Sequence, residues 1–239
     1  MLVNDSDKTK NSKPIWKNIN ATRIVVAAFA MLCGLTGITA GCFEILQGNV
    51  ATNGLIISTI GPEYSMWTTY SIYDLMETYS AITIIPNFFV TGILAIIVSC
   101  LVMIWAVGFI HKEHGVIIFF LLSIIQFLVG GSFVMDLAII TSITATRINK
   151  PLTWWRSHLS DKMQRLFAMI WPWSLIFYTI LSIVLLGIPI LGVNNAELLS
   201  YLDIAAALMF IPLILMIIGG FAYDIQRQAK PDQDLTKSK

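Results

Sequence analysis

The ten residues "VGGSFVMDLA", numbered 129–138, decide the topology of the chain. They lie inside an apolar run from Val116 to Thr146 and bring two adjacent glycines and a carboxylate into it. As one straight helix, this run would be about 46 Å long, against a hydrocarbon core of about 30 Å. Gly130 and Gly131 divide it into halves of about 20 Å, a length typical of segments that enter a membrane and return. The stretch therefore indicates either a re-entrant hairpin or one long tilted helix.

Long apolar runs place the chain among the polytopic membrane proteins. Only 12% of its residues are charged, whereas a soluble domain has about 25%. Each of the runs exceeds the length of about 18 residues that marks a candidate membrane segment. The runs cover residues 24–46, 82–110, 116–146, 166–193 and 204–223. The predicted fold class is therefore all-α, an integral membrane helical bundle.

The distribution of Lys and Arg predicts the topology, because cytoplasmic loops are enriched in these residues. All 15 lie outside the apolar runs or at their edges. The outer segment 47–81 holds none of them, whereas the basic loop 147–166 holds several. Both termini and the basic loop are then cytoplasmic, but five spanning helices would put the termini on opposite sides. We favour four spanning helices with run 116–146 as a re-entrant hairpin, and five spanning helices are the alternative.

A single transmembrane domain is predicted from residue 21 to residue 228, in a multi-pass protein of the plasma membrane. Residues 1–20 and 229–239 are polar tails that we expect in the cytoplasm. The outer segment 47–81 carries aromatic residues at intervals of three, which share one side of a helix. We expect this face to anchor the segment at the outer interface rather than to bind a ligand. The aromatic residues are Tyr64, Trp67, Tyr70 and Tyr73.

The candidate ligand or ion site consists of four polar residues within the apolar runs. A carboxylate at the bilayer centre costs about 3 kcal/mol, so Asp136 is expected to face the bundle interior. Ser132 is placed to cap the second half of the hairpin, which would direct a positive helix end at Asp136. Gln126, on the first half, is expected to face the same cavity. Glu44, near the outer end of the first run, is interpreted first as an interfacial carboxylate that reaches headgroup water.

Glycines mark the predicted helix-packing positions. Gly37 and Gly41 have the GxxxG spacing that lets two helix backbones approach closely, and Gly34 precedes them. Gly130 and Gly131 are expected to form the tight turn of the hairpin.

No metal site, cofactor or nucleic-acid partner is predicted. His111 and His114 flank a short turn and have no third ligand nearby. The leading functional hypothesis is an accessory or structural membrane component, in which Asp136 pairs with a helix of a partner membrane protein. The alternative is a small transporter or channel for a proton, cation or small polar solute, with Asp136 at a re-entrant tip. An enzyme acting on lipid ranks third, since the sequence provides no second acid or His at that depth. The lipid bilayer and a membrane-protein partner or second copy are the expected partners.

Overall fold

The computed structural model describes residues 20–58, 80–131, 135–190, 204 and 208–236. Ser132 and the predicted aromatic face of Tyr64, Trp67, Tyr70 and Tyr73 lie outside these residues. The described helices are α1 (Ala21–Leu46), α2 (Phe88–Gly108), α3 (Gly115–Leu128), α4 (Met135–Ala145), α5 (Thr153–His158), α6 (Asp161–Ile190) and α7 (Phe210–Thr236). The described strands are β1 (Ile56–Ser58) and β2 (Ser80–Ile82).

Four helices, α1, α2, α6 and α7, are long and apolar enough to cross a membrane. The helical class is thus confirmed, and the chain is compatible with an integral membrane protein. α1 is the central helix, since it packs along α2 on one face and against α4, α6 and α7 on others. Phe29 of α1, for example, meets the ring of Tyr178 of α6 with 5.4 Å between ring centroids.

The start of α2 follows from a local cap. The Asn87 side chain accepts a hydrogen bond of 3.1 Å from the backbone N–H of Val90, which satisfies a donor that the first turn leaves free. Asn87 itself is extended, and Pro86 precedes it. The apolar run predicted from residue 82 therefore becomes helical only at Phe88.

The run from 116 to 146 is broken into two helices. α3 has 14 residues and α4 has 11. Gly130 lies between them with φ of +91°, a conformation that glycine adopts readily and other residues rarely adopt. α4 packs against both α1 and α3. The glycine pair thus interrupts the helix as the sequence predicts.

Both ends of this helical pair lie at one end of the bundle. At the start of α3, the Gly115 carbonyl accepts a 2.9 Å hydrogen bond from Trp105 Nε1, near the end of α2. Beyond α4, the Asn149 side chain accepts a 2.7 Å hydrogen bond from Asn20, the residue before α1. Arg23 links the two regions, because its guanidinium donates to the Val107 carbonyl at 3.0 Å.

The end of α7 reaches the same end of the bundle. Asp224 of α7 is buried and accepts hydrogen bonds from the backbone N–H of Ala21 at 2.8 Å and of Thr22 at 3.0 Å. It also accepts one from the Thr22 hydroxyl at 2.6 Å. α7 therefore contains a buried carboxylate just beyond the apolar run that ends at residue 223. α7 also continues to Thr236, into the segment predicted as a polar tail.

A small antiparallel sheet at the opposite end departs from the all-α expectation. β1 pairs with β2 in the register Ile56↔Ile82, and Thr83 then forms an isolated bridge with Val129 after α3. The Gly130 N–H donates to the Ile82 carbonyl at 3.0 Å. The β-branched residues around position 82 favour extended backbone. Segment 47–81 is thereby joined to the turn between α3 and α4.

The glycines of α1 lie where other segments approach most closely. A Cβ atom on Gly41 would lie 2.7 Å from the Gly92 carbonyl oxygen, and one on Gly92 would lie 2.6 Å from the Gly41 carbonyl oxygen. Gly34 lies against the Met103 side chain, and Gly37 against Ser99 of α2 and Gln126 of α3. Contact between the backbones of α1 and α2 therefore depends on the absence of side chains at Gly41 and Gly92.

Candidate functional site

Glu44, near the end of α1, is fully enclosed. Its exposed fraction is 0%, and neither carboxyl oxygen has a hydrogen-bond partner within the described part of the chain. The interpretation of Glu44 as an interfacial carboxylate in contact with water is therefore wrong. A buried carboxylate without a partner is costly, so this side chain requires a proton or a positively charged ligand.

The carboxyl group of Glu44 rests directly on the turn between α3 and α4. A Cβ atom on Gly130 would lie 2.5 Å from Glu44 Oε1 and 2.8 Å from Oε2. Gly130 follows the last residues of α3, and a helix C-terminus carries a partial negative charge. The carboxyl thus lies beside a second negative feature, which increases its need for a cation.

Buried hydroxyl groups hold this turn against the start of α2. The hydroxyls of Thr83 and Thr91 are 2.6 Å apart, and Thr91 donates to the Val129 carbonyl at 2.8 Å. The Thr83 hydroxyl in turn accepts a hydrogen bond of 3.1 Å from the Ile85 N–H. Together with the backbone bridge at Thr83, these bonds fix the position of Val129, which precedes the Gly130 that lies against Glu44.

Gln126 of α3 provides a second uncommitted oxygen. Its Nε2 donates to the Cys33 carbonyl at 2.8 Å and to Ser99 Oγ at 3.0 Å, whereas Oε1 has no partner among the described residues. The exposed fraction of Gln126 is 0%. The amide fits because Gly37 has no side chain, and its Cγ lies against Gly131. Glu44 and Gln126 therefore contact adjacent residues of one turn.

Asp136 has a different environment. It is exposed, so the expectation that it faces the bundle interior is wrong. It lies at the start of α4, and its neighbour Leu137 packs against the apolar cluster that contains Phe29 and Tyr178. Ile139 and Ile143, at i+3 and i+7, are 43% and 63% exposed and share its face of α4. Asp136 is therefore an exposed carboxylate on an apolar helix face.

The sequence-predicted site is thus divided in two. Gln126 is enclosed, with its amide at the Cys33 carbonyl, whereas Asp136 is exposed on α4. Sequence reasoning missed the roles of Thr83, Thr91 and Ser99, since an isolated hydroxyl in an apolar run gives no signal of its own. Within the described ranges, His, Cys, Asp and Glu side chains form no group of three or more that could hold a metal ion.

Comparison with known proteins gives no relative: no family model, no curated protein and no solved structure matches the chain.

Proposed function

We propose that the chain is a plasma-membrane protein in which α1, α2, α6 and α7 span the bilayer. In this arrangement α3 and α4 form a re-entrant hairpin, and both termini are cytoplasmic. The hydrogen bond between Asn20 and Asn149 supports it, because it brings the basic loop to the start of α1. The absence of Lys and Arg from segment 47–81 supports the outer location of that segment.

Cysteine labelling tests this topology. Single cysteines at Asn149 and Ser157 are expected to react with an impermeant maleimide only after the cytoplasmic face is made accessible. A cysteine at Asn53, in the outer segment, should react in intact cells. Labelling of Asn149→Cys from outside would instead support five spanning helices and a single helix across residues 116–146.

We further propose that the protein acts as an accessory component that binds another membrane protein through α4. The observation that carries this proposal is the exposed Asp136 in the first turn of α4, within the apolar run 116–146. A carboxylate that faced lipid there would cost about 3 kcal/mol. A partner helix that covers Asp136, Ile139 and Ile143 would remove this cost.

The chemistry of the partner follows from the charges of this chain. A second copy is a poor match, because all 15 Lys and Arg lie outside the apolar runs or at their edges. A twofold contact through α4 would place one Asp136 against another, and like charges repel. The expected partner is therefore a different chain whose membrane helix carries a basic residue near its centre.

Purification in mild detergent tests the accessory function. The wild-type protein is expected to retain a second chain in constant stoichiometry through size-exclusion chromatography. Asp136→Asn is expected to lose that chain, while Glu113→Gln, at an exposed carboxylate outside the helices, should retain it. A monomer without a co-purifying chain would contradict the proposal, and so would an Asp136→Asn variant that keeps its partner.

Transport of a proton or cation is the second candidate function, and the unpaired Glu44 is the observation that favours it. Many transporters build their ion sites where half-helices end beside unwound backbone, as α3 does at Gly130. Flux measured in proteoliposomes should then require Glu44 rather than Asp136. Equal flux in wild type and Glu44→Gln would exclude this function for the site.

A further inference from the structure

We propose that Glu44 binds one small monovalent cation, of the sodium class, at the turn between α3 and α4. The inference concerns equilibrium binding, and it holds whether or not a partner binds α4 or ions cross the membrane. Its basis is the enclosed carboxyl group of Glu44, whose two oxygens have no hydrogen-bond donor among the described residues and lie against Gly130.

The type of atom selects a hard cation. Carboxylate and amide oxygens prefer alkali and alkaline-earth ions over soft transition metals.

The charge of the surroundings selects a monovalent ion. Glu44 has no hydrogen-bond or ion-pair partner among the described residues, so the site has a single carboxylate. A monovalent cation balances its one negative charge, whereas a divalent ion would bring one charge more than the carboxylate supplies.

The backbone at the site favours the same ligand. Residues 129 and 130 are non-helical, and such backbone at membrane depth is stable only where it is buried in protein or lines a polar cavity. The Thr83–Thr91 pair and the bridge to Val129 bury it here. Half-helix C-terminal ends with adjacent unwound backbone are the elements that coordinate Na⁺ in many transporters.

The test is the thermal stability of the purified full chain, with any co-purifying partner, in NaCl and in choline chloride at equal ionic strength. The wild type is expected to melt at a temperature that rises with Na⁺ and saturates. Glu44→Gln keeps the size of the side chain but not its charge, and its melting temperature should not depend on Na⁺. Glu113→Gln should respond as the wild type does.

Equilibrium binding of radioactive Na⁺ keeps the proposal falsifiable if Glu44→Gln does not fold. The wild type should bind one ion per chain, and Glu44→Asp, which retains the charge on a shorter side chain, should bind more weakly. Saturable binding that is unchanged in Glu44→Gln would overturn the proposal. It would also be overturned if the wild type responded equally to both salts, or if acid alone stabilised it, since Glu44 would then take only a proton.

Discussion

Replacement of Asp224 by alanine should destabilise the bundle strongly. The carboxylate accepts three hydrogen bonds, from the N–H groups of Ala21 and Thr22 and from the Thr22 hydroxyl. Loss of a buried charged acceptor costs about 1.5–3 kcal/mol. Loss of its interaction with the α1 N-terminus adds about 0.5–1 kcal/mol. We therefore expect a loss of about 3 kcal/mol, or about 6–12 °C in melting temperature for a chain of this size.

The assay for this prediction is intrinsic tryptophan fluorescence during heating in mild detergent. Asp224→Asn retains one carbonyl oxygen and should lose about half as much stability. Glu113→Ala, at an exposed residue between α2 and α3, is the matched control and should melt with the wild type. The reasoning would be refuted if Asp224→Ala melted within about 2 °C of the wild type, because the three bonds would then contribute almost nothing.

Two further predictions concern glycines and use the same melting assay. Gly48→Ala should cost about 1–2 kcal/mol from its left-handed backbone alone, because its surroundings are open. Gly130→Ala should lower the free energy of unfolding by about 1–3 kcal/mol more than Gly48→Ala, since its Cβ would collide with Glu44. Equal losses at Gly48 and Gly130 would contradict the enclosure of Glu44. Gly41→Ala should cost about 1–3 kcal/mol by separating α1 from α2. Gly108→Ala has open space and should be neutral, so an equally stable Gly41→Ala would argue against the close helix crossing.

The parts of the fold that depend on composition were predictable from the sequence. Apolar length identified the four long helices, and the Gly130–Gly131 pair identified the break between α3 and α4. Those features follow from local physics, since helix length and glycine conformation need no knowledge of neighbouring segments.

Hydropathy could not predict that Glu44 is buried and Asp136 is exposed, because both carboxylates lie in apolar runs. Which side of a helix is enclosed depends on how that helix is rotated against its neighbours. For Glu44 a signal did exist, since Gly37, Gly41 and Glu44 follow the i, i+4, i+7 spacing of one helix face. The side of a helix that carries close-packing glycines contacts other helices, so Glu44 on the same side is expected to be buried. Asp136 has only isoleucines on its face, and these suit lipid and a partner helix equally.

The pairing of Asp224 with the start of α1 has a consequence for biosynthesis. The capping carboxylate lies 203 residues after the N–H of Ala21 that it accepts from. At a synthesis rate of about 5–20 residues per second, the first helix waits about 10–40 s for its cap. Until then its first-turn donors depend on water at the membrane surface. α7 thus supplies the carboxylate that caps α1, and a chain truncated before residue 224 would leave the N-terminus of α1 uncapped.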